Sequence, residues 1–373
     1  MTSRTGDVAG QGAARGRRAA WPSQLPAAGW KDVLWRVYGE IGQDRVMLIA
    51  AGVTYYLLLA LVPALSALVS VYGLFADPAT VQEHAAMLQS VIPGGGMEII
   101  NEQLTRLAEQ GTTTLGLTFA ISLAIALWSA NAGMKSLFEA MNVAYDEAEK
   151  RSFVKLTAVS FVFTLGAIVA VILFIGLVVG LPLVLGFLGL GSGTQWLVSL
   201  ASYAALFALV FLGIGALYHW GPSRTRAKWR WITPGTVLTV VVIAAVSVLF
   251  SWYVANFGSY NATYGSLGAL IGFMTWIWIS TIILIVGGEL NAEMEHQTIR
   301  DTTHAPAQPM GARGATMADT IGKASGADAA PELPNRRDDV QRLLDRRRGS
   351  SKVLAMALPT ALFVTWILRN RDR

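Results

Sequence analysis

The chain of 373 residues contains no cysteine. Disulfide frameworks, thiolate nucleophiles and cysteine-ligated zinc sites are therefore excluded. Charge is also scarce: Asp, Glu, Lys and Arg make up 14% of the residues, against roughly 25% in an ordinary soluble domain. Only four histidines occur, His84, His219, His296 and His304, and no two have metal-ligand spacing. No HExxH run, phosphate-binding GxxxxGK[ST] loop or GxSxG elbow is present, which removes three catalytic devices. The glycine-rich run at Gly94 reads as a turn.

What the chain has instead is hydrophobicity, at 53% of residues. Several apolar runs reach the 18 or so residues that suggest a membrane span. The expected fold class is all-α, a polytopic membrane helix bundle of about six spans with amphipathic interfacial helices. The spans are expected over about 47–75, 114–130, 157–180, 195–218, 232–257 and 266–288. Residues 1–29 read as a disordered basic tail, 30–297 as the bundle and 298–351 as a polar linker. Residues 352–373 read as an apolar segment with a basic end, in which 353–368 is either a seventh tilted span or an interfacial anchor.

Trp30, Val33, Leu34, Val37, Tyr38 and Ile41 recur at helical spacing, with Lys31, Arg36 and Glu40 on the other side. This predicts an amphipathic helix lying in the membrane interface before the first span. Span two is expected to continue as a helix beyond the membrane, with Asn131, Lys135, Glu139 and Asn142 on one face.

The net charge is +5, and its distribution sets topology. Lys and Arg gather in the N-terminal region, in the segment after span two (Lys135, Lys150, Arg151, Lys155) and in the loop after span four (Arg224, Arg226, Lys228, Arg230). With six spans these fall on one side, so the N-terminus is expected in the cytoplasm of a bacterial inner membrane. Membrane lipids, rather than nucleic acid, are the expected partners of this charge. Gly176 with Gly180, and Gly268 with Gly272, have the spacing for close helix packing. A homo-oligomer or an envelope protein partner is compatible with that spacing.

Ionisable groups near the membrane are the main functional lead, because burying charge in lipid is costly. Glu289 follows Gly287-Gly288 at the end of span six. It reads either as an ion, proton or headgroup site, or as a helix end emerging into water with Glu289 paired to a loop arginine. His219, at the end of span four, reads as a solvated interface histidine. The stretch YVANFGSYNATYGSLG holds Tyr253, Asn256, Tyr260, Asn261 and Tyr264. These form either an aromatic interface belt or the mouth of a substrate path.

Several pieces in order resemble a known family. They are AAGVTYYLLLALVP from Ala50, FEAMNVAY from Phe138 followed by Glu149-Lys150-Arg151, Tyr218 with Pro222, Pro234-Gly235, YVANFGSYNATYGSLG, and GGELNAEME from Gly287. Together they resemble the YihY/virulence factor BrkB family of bacterial inner-membrane proteins, formerly labelled ribonuclease BN-like, over about 30–295. The resemblance implies a six-span bundle with both ends cytoplasmic. It also implies a transport or envelope-maintenance role, toward lipid in some members. The ribonuclease label fits poorly, since RNA hydrolysis needs a metal site or a placed acid–base pair. The expectation is a non-enzymatic protein without a cofactor. Either it is a transporter or flippase-like protein with a path through Asn131, Lys135, Glu139, Asn142 or Glu289, or it is an envelope scaffold.

Overall fold

The computed structural model describes residues 14–73, 115–177, 192–256, 266–304 and 306–325, with side chains omitted at some helix ends. These residues belong to one compact unit. Among them there are, besides a 3-10 turn at Pro22–Gln24, eight α-helices: α1 (Ala27–Gln43), α2 (Val46–Gly73), α3 (Leu115–Ala144), α4 (Phe153–Ile175), α5 (Ser192–Trp220), α6 (Trp229–Asn256), α7 (Ser266–His296) and the short α8 (Thr316–Asp319). The described residues form no strand, only an isolated bridge between Ala227 and Thr303.

Four segments are long and apolar enough to cross a membrane: Phe153–Phe174, Leu200–Trp220, Trp229–Tyr253 and Leu270–His296. Helices α2 and α3 have 28 and 30 residues, so at about 1.5 Å per residue each is longer than a ~30 Å hydrocarbon layer. The helix of span two runs on to Ala144, as its sequence pattern predicts.

The bundle is apolar on its outside, unlike a water-soluble domain, and buries polar groups beside its hydrophobic core. Val162, Leu165 and Val169 on α4 and Val248, Leu249 and Trp252 on α6 are exposed. Buried hydroxyls turn back on their own helices: Thr54 donates to the Ala50 carbonyl at 2.7 Å, and Thr164 to that of Ser160 at 2.8 Å. This satisfies a donor where no water is available.

The most extensive helix pairing is α2 with α3, followed by α6 with α7. The second pairing depends on two glycines. A Cβ at Gly235 would overlap the Gly287 carbonyl and Asn291, and one at Gly287 would overlap the Thr239 hydroxyl. The backbones therefore touch, in the manner of small-residue membrane helix contacts. Asn291 Oδ1 accepts from Gly235 N at 2.8 Å at the same crossing.

Three expectations are corrected. Helix α1 is amphipathic, but its apolar set is split. Val33 and Val37 face inward beside Asp32, while Leu34, Trp35 and Tyr38 point outward, 56%, 65% and 74% exposed. Arg36 also turns inward, because Glu293 on α7 neutralises it. Residues 14–26, read as part of a disordered tail, are packed: Arg15 pairs with buried Asp32 at 2.7 Å, and Ile299 N donates to the Arg17 carbonyl at 2.9 Å.

The expected linker from Thr298 is also packed, as far as Ser325. Thr298, Thr302 and Thr303 are fully buried. The segment crosses the charged end of the bundle as a strap. Lys228 N donates to the Thr302 carbonyl at 2.8 Å, Thr225 N to that of Gly314 at 3.0 Å, and Thr316 N to Glu147 at 2.7 Å. Arg313 holds the strap to itself by donating to the carbonyls of Ala318 at 2.6 Å and Ile299 at 2.7 Å. Its polarity reflects main-chain and side-chain bonding to the bundle. The span-like run 353–368 lies outside the described residues.

Candidate functional site

The charged end of the bundle gathers α1, the turn after α3, the α5–α6 loop, the end of α7 and the strap. The three basic clusters of the sequence meet here, each tied to acids or carbonyls. Arg151 binds Glu149 at 2.7 Å and donates to the Gly221 carbonyl at 2.7 Å. Lys150 pairs with Glu147 at 2.7 Å. Arg224 pairs with Glu295 at 2.7 Å, the two side chains only 2% and 0% exposed.

Helix α7 carries three acids near its end, all buried: Glu289, Glu293 and Glu295. Two of them have cations. Arg36 holds Glu293 through both its carboxylate and its carbonyl, with His296 alongside at 3.3 Å. Glu295 has Arg224 and also accepts from the Thr302 hydroxyl at 2.7 Å. Among the described residues, no lysine or arginine forms an ion pair with Glu289. Its Oε1 has no hydrogen-bond partner although the residue is 1% exposed. The reading in which a loop arginine pairs with Glu289 therefore does not hold.

Glu40 and Asp44, both acids, lie at the end of α1 on the side that Glu293 reaches through Arg36. Arg45, at φ 53, takes the left-handed conformation that turns the chain into α2 directly after Asp44. Burial raises the Asp44 carboxyl above its ordinary range. One turn back along α1, Glu40 is raised to about 7 by burial first, then by Asp44, Glu293 and Asp146. Like charges that share a site disfavour each other's ionisation.

Buried hydroxyls beside the end of α7 are held in place by neighbours. Tyr218 shares a 2.7 Å bond with the Thr239 hydroxyl and donates to the Leu284 carbonyl at 2.7 Å. Tyr145 is fully buried, with the Arg224 guanidinium over its ring at 4.8 Å.

The other sequence candidates part company. Lys135 donates to Thr157 on α4 at 2.9 Å and lies over the Phe153 ring. Asn142 is buried and fully used: its Oδ1 accepts from Ser223 N at 2.7 Å, and its amide donates to Glu149 at 3.0 Å. Glu139 is exposed, whereas Asn131 is buried with Oδ1 unpartnered. The helix pattern placed these four on one face, but Lys135 and Asn142 bond different neighbours. Tyr253 is 47% exposed near Phe250. The side chain of Asn256, and Tyr260, Asn261 and Tyr264 entirely, lie outside the described residues. His219 is not solvated: it is 5% exposed and stacks on Trp229 at 4.8 Å.

Sequence reasoning missed Asp44 and Glu40. Their signal was a four-residue spacing, which puts both acids on one face of α1, immediately before an apolar run. The four-residue spacing of Glu289 and Glu293 is the matching signal on α7.

An apolar shell, a charged end and long hydrophobic helices define a multi-pass membrane protein. The sequence matches the family described as Virulence factor BrkB over residues 37–311, and the chain belongs to that family. It is 30% identical over 278 residues to a protein of Bacillus subtilis called "Putative ribonuclease-like protein YfkH", covering 70% of this chain and 93% of that one. It is 27% identical to a "UPF0761 membrane protein" of Xanthomonas axonopodis pv. citri, over 70% of this chain and 60% of the relative. A UPF0761 membrane protein of Methylibium petroleiphilum is 23% identical over 74% of this chain and 66% of its own length. The chain thus spans about three fifths of the Xanthomonas relative's length. No solved structure matches.

Proposed function

We propose that this protein moves a lipid or an amphipathic solute across the bacterial inner membrane, without catalysing a covalent reaction. The observation that carries this reading is Glu289: a carboxyl 1% exposed, with an unpartnered oxygen. It stands among helices that neutralise its neighbours Glu293 and Glu295. An ionisable group left without a counter-charge at membrane depth is costly, and such groups mark ion and substrate pathways. The reading places the charged end in the cytoplasm, because three basic clusters meet there, and takes membrane lipids as partners instead of nucleic acid.

A second reading is an envelope scaffold, either self-associating or bound to an envelope protein. It is favoured by the outward aromatic face of α1, where Trp35 and Tyr38 are 65% and 74% exposed. The Bacillus relative's name adds ribonuclease as a third reading. It would need a metal site or a placed acid–base pair.

Reconstitution into vesicles containing a fluorescent phospholipid, with a membrane-impermeant quencher outside, separates these readings. Transport predicts quenching beyond the outer leaflet, lost in Glu289→Gln at equal incorporation. Quenching equal to that of protein-free vesicles overturns phospholipid movement and favours the scaffold. RNA cleavage by the purified chain that a point substitution abolishes would favour the ribonuclease reading.

A further inference from the structure

We propose that the outward face of α1 binds an anionic phospholipid of the surrounding bilayer, with Lys31 on the headgroup phosphate and Trp30, Leu34 and Trp35 against the acyl chains. The site does not depend on the transport reading: it holds such a lipid whether or not the protein moves one.

Helix α1 cannot roll to hide this face. Its other side is fixed by Val33 and Val37 in the core, by Asp32 bound to Arg15 at 2.7 Å, and by Arg36 bound to Glu293 and to the Lys323 carbonyl. At 3.6 residues per turn, Ala27, Lys31, Leu34, Trp35 and Tyr38 then fall on one stripe about 100° wide. All five are exposed. With half-buried Trp30, the first four line an open, apolar cleft of about 600 Å³. The Trp35 and Tyr38 rings lie 6.3 Å apart beside it. A contiguous apolar patch held outward in this way marks a binding surface.

Two features identify what covers it. The first is continuity with the lipid-facing helices. Only Asp44 and Arg45 separate α1 from α2, and the second and third residues of α2, Met47 and Leu48, are exposed again. An aromatic face so close to the start of a span lies at headgroup depth, where Trp and Tyr gather. The scaffold reading would give this face to a protein; its closeness to α2 gives it to lipid.

The second feature is Lys31. It stands in the middle of the stripe and forms no ion pair among the described residues. An ammonium pressed against an apolar surface needs an anion, and a lipid phosphate supplies one at that depth. The charges of α1 divide accordingly. Lys31 and, just past the helix, Arg45 are exposed, whereas Asp32 is buried and Glu40 and Asp44 are half-buried. A zwitterionic headgroup brings its own cation beside the phosphate, so an anionic lipid such as phosphatidylglycerol is preferred.

The chain has no cysteine, so one introduced cysteine can carry a spin label. The full chain with Tyr38→Cys, and separately with Met310→Cys on the strap, is labelled in nanodiscs of phosphatidylcholine and phosphatidylglycerol. The label at position 38 should collide with oxygen more often than with a water-soluble nickel chelate, and the label at position 310 the reverse. Native mass spectrometry of unlabelled chain, released from vesicles holding equal amounts of the two lipids, should show phosphatidylglycerol retained in preference. Lys31→Gln should lower that retention about fivefold, the usual effect of one cation beside an anionic membrane surface. Lys31→Arg should keep it. Lys31 is exposed, so neither substitution disturbs the core.

Three results overturn the proposal. One is a label at position 38 as open to the chelate as the label at position 310. Another is dipolar broadening between labels at position 38, which would make the face a contact between two copies. The third is phosphatidylglycerol retention in Lys31→Gln equal to that of the wild type.

Discussion

The Arg224–Glu295 pair offers the sharpest test of the packing at the charged end. Arg224 Nη2 lies 2.7 Å and 2.9 Å from the two carboxylate oxygens of Glu295. Both side chains are out of contact with water, and Glu295 has only the Thr302 hydroxyl as a further donor. Removing one partner strands the other charge. Breaking such a buried pair costs about 3–5 kcal/mol, whereas replacing both partners with apolar residues of similar volume is neutral or stabilising. Arg224→Met and Glu295→Leu should therefore each lower the melting temperature by on the order of 10 °C. The double variant should recover most of that loss. Thr302 loses its acceptor in both Glu295→Leu and the double, so recovery should be incomplete by about one hydrogen bond, roughly 1 kcal/mol. Intrinsic fluorescence reports the transition directly, since the chain has 12 tryptophans. Single variants that melt with the wild type would refute the buried-pair account. So would a double variant as unstable as the sum of the singles.

Three further outcomes follow from the same geometry. Glu40 is raised to about 7 from an ordinary 4.5, so its protonated form belongs to the folded state. Its contribution to stability is full below about 4.5 and is lost as pH rises through about 7. Melting temperature should fall across that window in the wild type, and less in Glu40→Gln, as a scan at several pH values would read. Gly287→Ala should destabilise the α6–α7 crossing by more than 2 kcal/mol or so, because the methyl meets the Thr239 hydroxyl and Tyr218 rather than space; a wild-type melting curve would count against backbone contact there. Arg313→Ala removes donors from the Ala318 and Ile299 carbonyls, so hydrogen exchange should rise across 298–325 while α4 keeps its protection.

The long helices were legible because hydrophobicity over 18 or more residues is a direct physical requirement for crossing lipid. The inward and outward faces of α1 were not, since Val33 and Leu34 are equally apolar to a pattern. What separates them is a partner: Arg36 and Asp32 turn inward because Glu293 and Arg15 wait there. Those partners are 257 and 17 residues away, and composition carries no information about such distances. The strap failed for a related reason. Residues 298–325 are polar and rich in small side chains, which reads as linker. They are ordered by main-chain bonds from Lys228, Thr225 and Gly322, which any residue can make. Glu289 was legible as a position and illegible as the unpaired acid of α7, because the arginines that serve Glu293 and Glu295 come from α1 and the α5–α6 loop.

The three acids of α7 share a chemistry and differ in what they meet. Glu289, Glu293 and Glu295 lie on the same helix and are all buried. If buried charge here served only to hold the bundle together, each acid would be expected to meet a cation, since an unpaired carboxyl in low dielectric is strongly unfavourable. The chain supplies arginines to Glu293 and Glu295, whereas Glu289 has no ion pair among the described residues and an unpartnered Oε1. An amide at position 289 would fill the same space without a charge to bury. Structural demand alone therefore predicts that Glu289→Gln folds as well as the wild type or better. A gain in stability accompanied by a loss of lipid movement would be the signature of a residue kept for function.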